Sequence, residues 1–559
     1  MPALRRVEEL VRGSRLTAAG YIAYEAAPGF DSSLRVRAGA PIPLLDFGLY
    51  ESAETLDGVA ALGDRAAGPG PAGAAAGAAG RVDWTPTVAA DAYAEALGSI
   101  KTHIAAGRTY QVNYSYRLRA PFSGDPWTLF CRMVAGSRRG YAAYLDLDDL
   151  AICSASPELF FRLERGNLTC RPMKGTAPRG RLLSEDQENM ERLGASEKDR
   201  AENLMIVDMI RNDLGRVAEI GSVRVPRLFE VERWPTVLQM TSTATARTRA
   251  SFIEIVAALF PCASITGAPK ASTMGIIADL ETTPRGIYTG CIGYLAPEGE
   301  GIRAQFNVAI RTVTVDRGRG LAEYGVGGGI LWDSDPESER RECETKARVL
   351  ASPSAHFKVL EALLWTPRGF SLLDRHLDRL AASAEYFDFA LDFADLRRRL
   401  AGLEATLPAE PHKVRVELSR DGSLSVTAAP LAATARPAVL RVGLALDPVD
   451  DEDVFLFHKT SRRGVYEAAM AGRPGLDEVI LWNRRGEVTE ACTANVVAEL
   501  DGQRVTPPAR CGLLAGTFRG MLLEQGLIAE RVITVDQLAR APRLWLINSV
   551  REWMEAVIA

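Results

Sequence analysis

The sequence predicts an α+β chain of two units, roughly residues 1–350 and 355–559. Three observations predict it. The chain has 559 residues, where one domain usually takes about 100–200. Strand-like alternation is interleaved with apolar residues at three- and four-residue spacing. The pattern then halts at Ala-Ser-Pro-Ser, 351–354, and starts again.

Each element follows in order. GYIAYEA, from Gly20, reads as a strand. AAGPGPAGAAAGAAG, 66–80, has too little apolar surface to bury and reads as a flexible insertion. DAYAEALGSIKTHIAAG and SFIEIVAALF read as helices. YAAYLDL, AICSAS and LFFRLE read as strands. After the break, FKVLEALLW is a strand. LLDRHLDRLAASAEYF is a helix with Leu373, Leu377, Leu380, Ala381 and Ala384 on one face. DEVILWNRRGEVTEA is a hairpin.

Composition removes several classes of function. The hydrophobic fraction is 47%, the charged fraction 25% and the net charge −5, values of an ordinary globular protein. With acidic and basic residues interspersed, no basic stripe points to nucleic acid. Eight scattered cysteines form no C-x-x-C pair, and there are only five histidines. That disfavours both a zinc site and a disulfide framework. No signal-like N-terminus or apolar run of about 18 residues suggests export or a membrane span, so a reducing cytoplasm is the expected setting.

Functional side chains cluster in the first unit. Lys174 lies in CRPMKGTAPRG, which reads as a constrained bend. Glu158 stands beside a proline in ASPELF. Glu202 opens ENLMIVDMIRNDLGR, which reads as a helix. ITGAPK, 265–270, joins two helical patterns, and AIRT places Arg311 on a strand. GVGGGI, 325–330, reads as a glycine turn that lets a ligand approach bare backbone. Glu339 and Glu342, spaced i and i+3 in ESERRECETKA, share a helix face. Taken singly, each has a plainer explanation: a surface lysine, a helix-start acid favoured by the dipole, an exposed acidic face, a hairpin turn.

Together, in this order, SASPELF, RPMKGTAPRG, ENLMIVDMIRNDLGR, ITGAPK, AIRT, GVGGGI and the E-x-x-E-C helix resemble the chorismate-utilising enzymes. The resemblance implies an antiparallel β-sandwich flanked by helices, with chorismate bound in a cleft. It implies Mg²⁺ at Glu202, Glu339 and Glu342. It implies substrate contacts from Thr266, Gly267, Ala268, Lys270, Arg311, Gly328 and Gly329, and Glu158 as general acid. In the branch that makes aminodeoxychorismate the position of Lys174 carries lysine; in the anthranilate branch it carries alanine. The resemblance therefore implies that Lys174 attacks ring carbon 2 and forms a covalent adduct that ammonia resolves at carbon 4. Where relatives place histidine in V-x-H-[LM]-x-S, this chain has Gln239 in VLQMTS. Glutamine cannot titrate, so a positioning role is expected. No cysteine sits in a G-x-C-x-G elbow, so ammonia is expected from a separate glutamine amidotransferase.

In the second unit, Lys459 ends an apolar run in DVFLFHKTSRRGVYE, Glu490 lies on a strand in GEVTEACTANVV, and Arg379 follows His376 in DRHLDRL. Gly516 and Thr517 start a helix, and INSVREW ends a strand. Ordinary snorkelling, surface charge and helix capping account for each alone. In order, HLDRL, HKTSRR, EVTEACTANV, LLAGTFR and NSVREW resemble the fold-type IV pyridoxal-phosphate enzymes. That resemblance implies Lys459 as the lysine that carries pyridoxal 5′-phosphate and moves protons, and Glu490 against the pyridine nitrogen. It implies a phosphate cup from Arg379, Thr517, Phe518, Ser549 and Val550. The unit starts late for that family, and a homodimer is one expected arrangement.

The two resemblances meet on one route, from chorismate through 4-amino-4-deoxychorismate to 4-aminobenzoate and pyruvate. The alternatives are an anthranilate-type first unit with a class IV aminotransferase, and an inert second unit that serves only docking.

Overall fold

The structure is a computed structural model that describes residues 1–54, 82–134, 140–297, 299, 301–351, 357–431 and 437–559. The stretch 66–80 and most of 351–354 lie outside the described residues. Contacts divide the chain into two compact units: Met1–Arg179 with Asn189–Ala355, and Gly180–Glu188 with His356–Ala559. Among the described residues no helix is long and apolar enough to cross a membrane.

The first unit holds two antiparallel sheets. One runs Arg224–Arg233, Val237–Arg247, Asn167–Arg171, Leu159–Glu164, Ile302–Val308, Cys291–Leu295, Thr17–Ile22, Leu45–Tyr50, with Met173–Pro178 also paired to Val237–Arg247. The other runs Gly267–Ala268, Gln111–Pro121, Leu321–Ile330, Thr312–Asp316, Leu150–Ser154, Ala143–Asp146. Both contribute to a shared apolar cluster that includes Tyr21, Ile152 and Ile292. The helices cover the remaining faces. Phe252–Leu259 buries Phe252, Ile255, Val256 and Leu259 against the first sheet. A reciprocal Ser251–Glu254 capping box starts it, a device worth about 1 kcal/mol. This is the sandwich with flanking helices that the sequence predicts.

The second unit also has two sheets. Gly369–Phe370, Val359–Thr366, His412–Leu418 and Leu424–Pro430 form an antiparallel sheet. It is covered by the helices Leu373–Tyr386 and Phe393–Glu404 through Leu377, Leu380, Leu396 and Leu400. The other is mixed: Val488–Ala491, Glu478–Trp482, Val439–Leu444, Glu552–Ile558, Leu544–Asn548, Asn495–Leu500, Gln503–Thr506, Ala529–Glu530. An extra pairing between Val488–Ala491 and Asn495–Leu500 closes part of it into a ring. Residues Gly180–Glu188 belong to this unit. The Tyr386 hydroxyl donates to the Gly180 carbonyl at 2.6 Å, His458 Nε2 lies 3.0 Å from the Arg181 carbonyl, and the Arg181 guanidinium covers the Phe457 ring.

Three sequence expectations change. The glycine run GVGGGI is not a turn but the end of the ten-residue strand Leu321–Ile330, bare because neighbouring groups occupy the Cβ positions. The helix carrying Glu202 begins at Glu197, capped by Ser196, so Glu202 lies one turn and a half inside it. Arg311 sits in the link between strands Ile302–Val308 and Thr312–Asp316, with φ +50.

Candidate active sites

Lys174 lies in a strand, not in a loop. Between the pairs Met173↔Thr241 and Gln239↔Thr176, its strand Met173–Pro178 advances three residues while Val237–Arg247 advances two. The extra residue makes a β-bulge at Lys174–Gly175, with Gly175 at φ +96 where an L side chain is strained. Side chains fix the bulge from both sides. Asn203 Nδ2 donates to the Lys174 carbonyl at 3.2 Å and Gln239 Nε2 to the Gly175 carbonyl at 2.8 Å. The bulge aims the ammonium into a cavity of about 170 Å³, also lined by Glu158, Glu202, Gln239, Arg311, Gly329, Glu339 and Glu342. Lys174 Nζ is 3.4 Å from Glu202 Oε2.

Glu158 is 2% exposed and accepts from Ser264 Oγ at 2.6 Å. Burial pushes its carboxyl up to about 7, against the pull of Ser264, a backbone N–H and Lys174. Burial also raises Glu339, with Glu342 adding repulsion. Glu342 is lowered by Lys346, whose Nζ stands 2.8 Å from it. Arg311 has no acid partner among the described residues, and burial lowers its pKa. These acids fit Mg²⁺. Three carboxylates line one cavity, and two of them repel each other. Among the described residues no His, Cys, Asp and Glu side chains form a ready-made cluster, so water and a substrate oxygen would complete the shell, as magnesium prefers.

The remaining predicted contacts are not among the residues that line this cavity, although Gly328 lies against two that are. Lys270 Nζ is held by Asp213 Oδ2 at 2.8 Å and by the Leu259 carbonyl. Gly267 and Ala268 form a short strand paired with Val112 and Gln111, and the Thr266 hydroxyl turns back to the Cys262 and Ala263 carbonyls. Gly328 faces Glu339 and Lys346. Sequence reasoning missed Ser264, Lys346 and Gln111. Lys346 was within reach, four residues after Glu342 on the same helix. Gln111 is fully buried with both amide atoms unpartnered, and its Nε2 shares with Lys174 Nζ the space over Gly329.

The second unit holds a cavity of about 410 Å³ lined by Lys459, Glu490, Arg379, Thr517, Ser549 and Val550. Burial, then the Arg379 and Arg463 guanidinium groups, push the Lys459 amine down to about 8. Burial raises Glu490 to about 7, opposed by the Tyr466 hydroxyl, which donates to Oε1 at 2.8 Å. Arg379 faces the cavity but spends Nε and Nη2 on Glu361, both at 2.8 Å. Burial would raise Glu361; Arg379 and His376 hold it near 2. His376 bridges Glu361 Oε2, 2.7 Å away, and Thr517 Oγ1, 3.1 Å away. The Phe518 side chain is packed with Val497, Leu522 and Ile547, so only its backbone, in the first turn of the helix Thr517–Glu524, can serve an anion. Sequence reasoning missed Glu361, Arg463 and Tyr466. The donor set fits pyridoxal phosphate: a lysine with a depressed pKa, a buried acid for a ring nitrogen, and a helix start beside an arginine for phosphate.

Comparison with known proteins follows the same division. Aminodeoxychorismate synthase component 1 of Salmonella typhimurium is 42% identical over 272 residues, 48% of this chain and 59% of that protein. Aminodeoxychorismate synthase of Streptomyces griseus is 44% identical over 263 residues, 46% of this chain and 36% of that protein. The chain thus spans less than two thirds of either relative. The crystal structure of anthranilate synthase component I from Streptococcus pneumoniae TIGR4 matches with a TM-score of 0.53 and 25% identity, over 62% of this chain and 85% of that one. Residues 358–557 match the class IV amino-transferases. Residues 3–352 match the chorismate binding enzymes, and the chain belongs to that family.

Proposed function

We propose that this chain aminates chorismate at ring carbon 4 and then splits the product into 4-aminobenzoate and pyruvate, the two activities dividing between residues 350 and 355. The observation that carries the reading is Lys174, aimed by its bulge into a cavity with Glu158, whose carboxyl burial pushes up to about 7, and three further carboxylates. The relatives named aminodeoxychorismate synthase support it.

Arg311, a cation without an acid partner among the described residues, binds a chorismate carboxylate. Glu202, Glu339 and Glu342 would hold Mg²⁺, which when bound disperses negative charge on the ring carboxylate. The Lys174 nitrogen bonds to carbon 2 as the ring double bond shifts. The carbon 4 hydroxyl takes the Glu158 proton and leaves as water. Ammonia then bonds at carbon 4 and the lysine nitrogen leaves carbon 2. The ammonia comes from a separate amidotransferase subunit. In the second cavity Arg379 and the helix start at Thr517 would hold the phosphate of pyridoxal phosphate, which when bound supplies an electron sink. Lys459 removes the carbon 4 proton, and Glu490 stays against the ring nitrogen. Loss of pyruvate makes the ring aromatic. A reducing cytoplasm suits eight free cysteines.

The test is the purified chain with chorismate, an ammonium salt, Mg²⁺ and pyridoxal phosphate, followed by chromatography. The reading requires 4-aminobenzoate and pyruvate in equal amounts, and no product when glutamine replaces ammonium. Fluorescent anthranilate would overturn the first step. A requirement for an added keto acid would overturn the second.

A further inference from the structure

We propose that Tyr466, with Arg463 stacked on its ring, is a positioning residue that aims the Glu490 carboxylate toward the cofactor's ring nitrogen. This rests on the reading of the second cavity as a pyridoxal-phosphate site.

Three contacts carry it. The Tyr466 hydroxyl donates to Glu490 Oε1 at 2.8 Å. The Arg463 guanidinium lies 4.6 Å above the Tyr466 ring centroid, a distance at which a cation is attracted to the ring face. Arg463 Nη2 donates to the Cys492 carbonyl at 2.6 Å, two residues past Glu490. Arg463, Tyr466 and Glu490 all line the cavity that Lys459 enters.

The chemistry explains why such a device is needed. A buried carboxylate favours its neutral form, and a neutral Glu490 cannot hold a proton on a heterocyclic nitrogen by charge. Several groups facing it work against that preference: Tyr466 and Arg463 near the start of the helix Gly464–Ala471, Lys459 before it, and the Leu514 backbone. The Cys492 thiol, whose pKa burial and Glu490 both raise, stays neutral beside it. Tyr466 supplies the side-chain hydrogen bond. Burial and Glu490 raise its own pKa well above the ordinary value, so it stays a donor at neutral pH and is not a free acid. Lys459, Arg463 and Tyr466, at spacings of four and three, make one unit with Glu490.

The test uses the full chain free of cofactor, labelled with ¹³C-glutamate, with Glu490→Gln to assign the carboxyl signal. In the wild type Glu490 should titrate near 7. In Tyr466→Phe the midpoint should rise by about one unit, the effect of losing one hydrogen bond to a charged group. In the loaded enzyme the acidic limb of pyruvate release from 4-amino-4-deoxychorismate should also move up, because activity needs the ionised form. If Tyr466→Phe fails to fold, 3-fluorotyrosine incorporation serves; a more acidic phenol should lower the midpoint. An unmoved midpoint in either overturns the proposal. Absence of pyruvate release by the wild type would sink the lyase reading alone, because the titration needs neither substrate nor cofactor.

Discussion

Gly329→Ala is the sharpest test of the first cavity. A Cβ at this position would lie 2.2 Å from Lys174 Nζ and 2.2 Å from Gln111 Nε2, whereas ordinary contact begins at 3.4 Å. Each nitrogen must therefore retreat by about 1.2 Å. The Gln111 side chain is fully buried and has little room to yield, so Lys174 must take much of the displacement. A nucleophile misplaced by about 1 Å costs about 100-fold in rate. Overpacking of one methyl costs about 1–3 kcal/mol of stability, too little to unfold a domain of this size. The backbone of Gly329 is not left-handed, so no conformational penalty confuses the result. Chorismate consumption with ammonium and Mg²⁺ should fall about 100-fold, while pyruvate release from supplied 4-amino-4-deoxychorismate stays at the wild-type rate. Amination within threefold of wild type would show that the Lys174 amine does not work from this position.

Three further outcomes follow from the same geometry. Lys174→Ala should lower amination more than about 100-fold, and mass spectrometry of the wild type under turnover should find an adduct that the variant lacks. Glu158, needed protonated and titrating near 7, should make the amination rate fall as pH rises through 7. Glu158→Gln should abolish that limb and lower kcat by about 10²–10⁴-fold. Arg311→Met should raise KM for chorismate by about 10- to 150-fold, the worth of one charge-assisted contact, with kcat changed less.

Much of both sites was legible because their acids and lysines lie in short linear motifs. Glu339 and Glu342 need only helical spacing. Lys459 is marked by the apolar run it ends, and Glu490 by the strand that carries it. What the sequence could not show depends on pairings between distant segments. The bulge at Lys174 exists only through register with Thr241 and Gln239, more than sixty residues away. Lys270 reads as a ligand in ITGAPK, yet Asp213, fifty-seven residues earlier, takes its charge. Arg379 reads as a bare phosphate ligand because nothing in HLDRL announces Glu361 on the strand Val359–Thr366.

Glu361 shows how such a hidden partner changes the chemistry. It is a buried acid held near 2, joined to Arg379 by two hydrogen bonds and to His376 by a third. Arg379 thereby enters the cavity rigid and largely neutralised, so the phosphate must be held by a pre-set donor array rather than by net positive charge. His376 passes the same constraint to Thr517 at the start of the helix. Glu361→Gln therefore frees the arginine charge but loosens its aim. Cofactor dissociation, followed by absorbance, should then become faster despite the greater positive charge. Slower dissociation would mean that charge, not orientation, holds the phosphate.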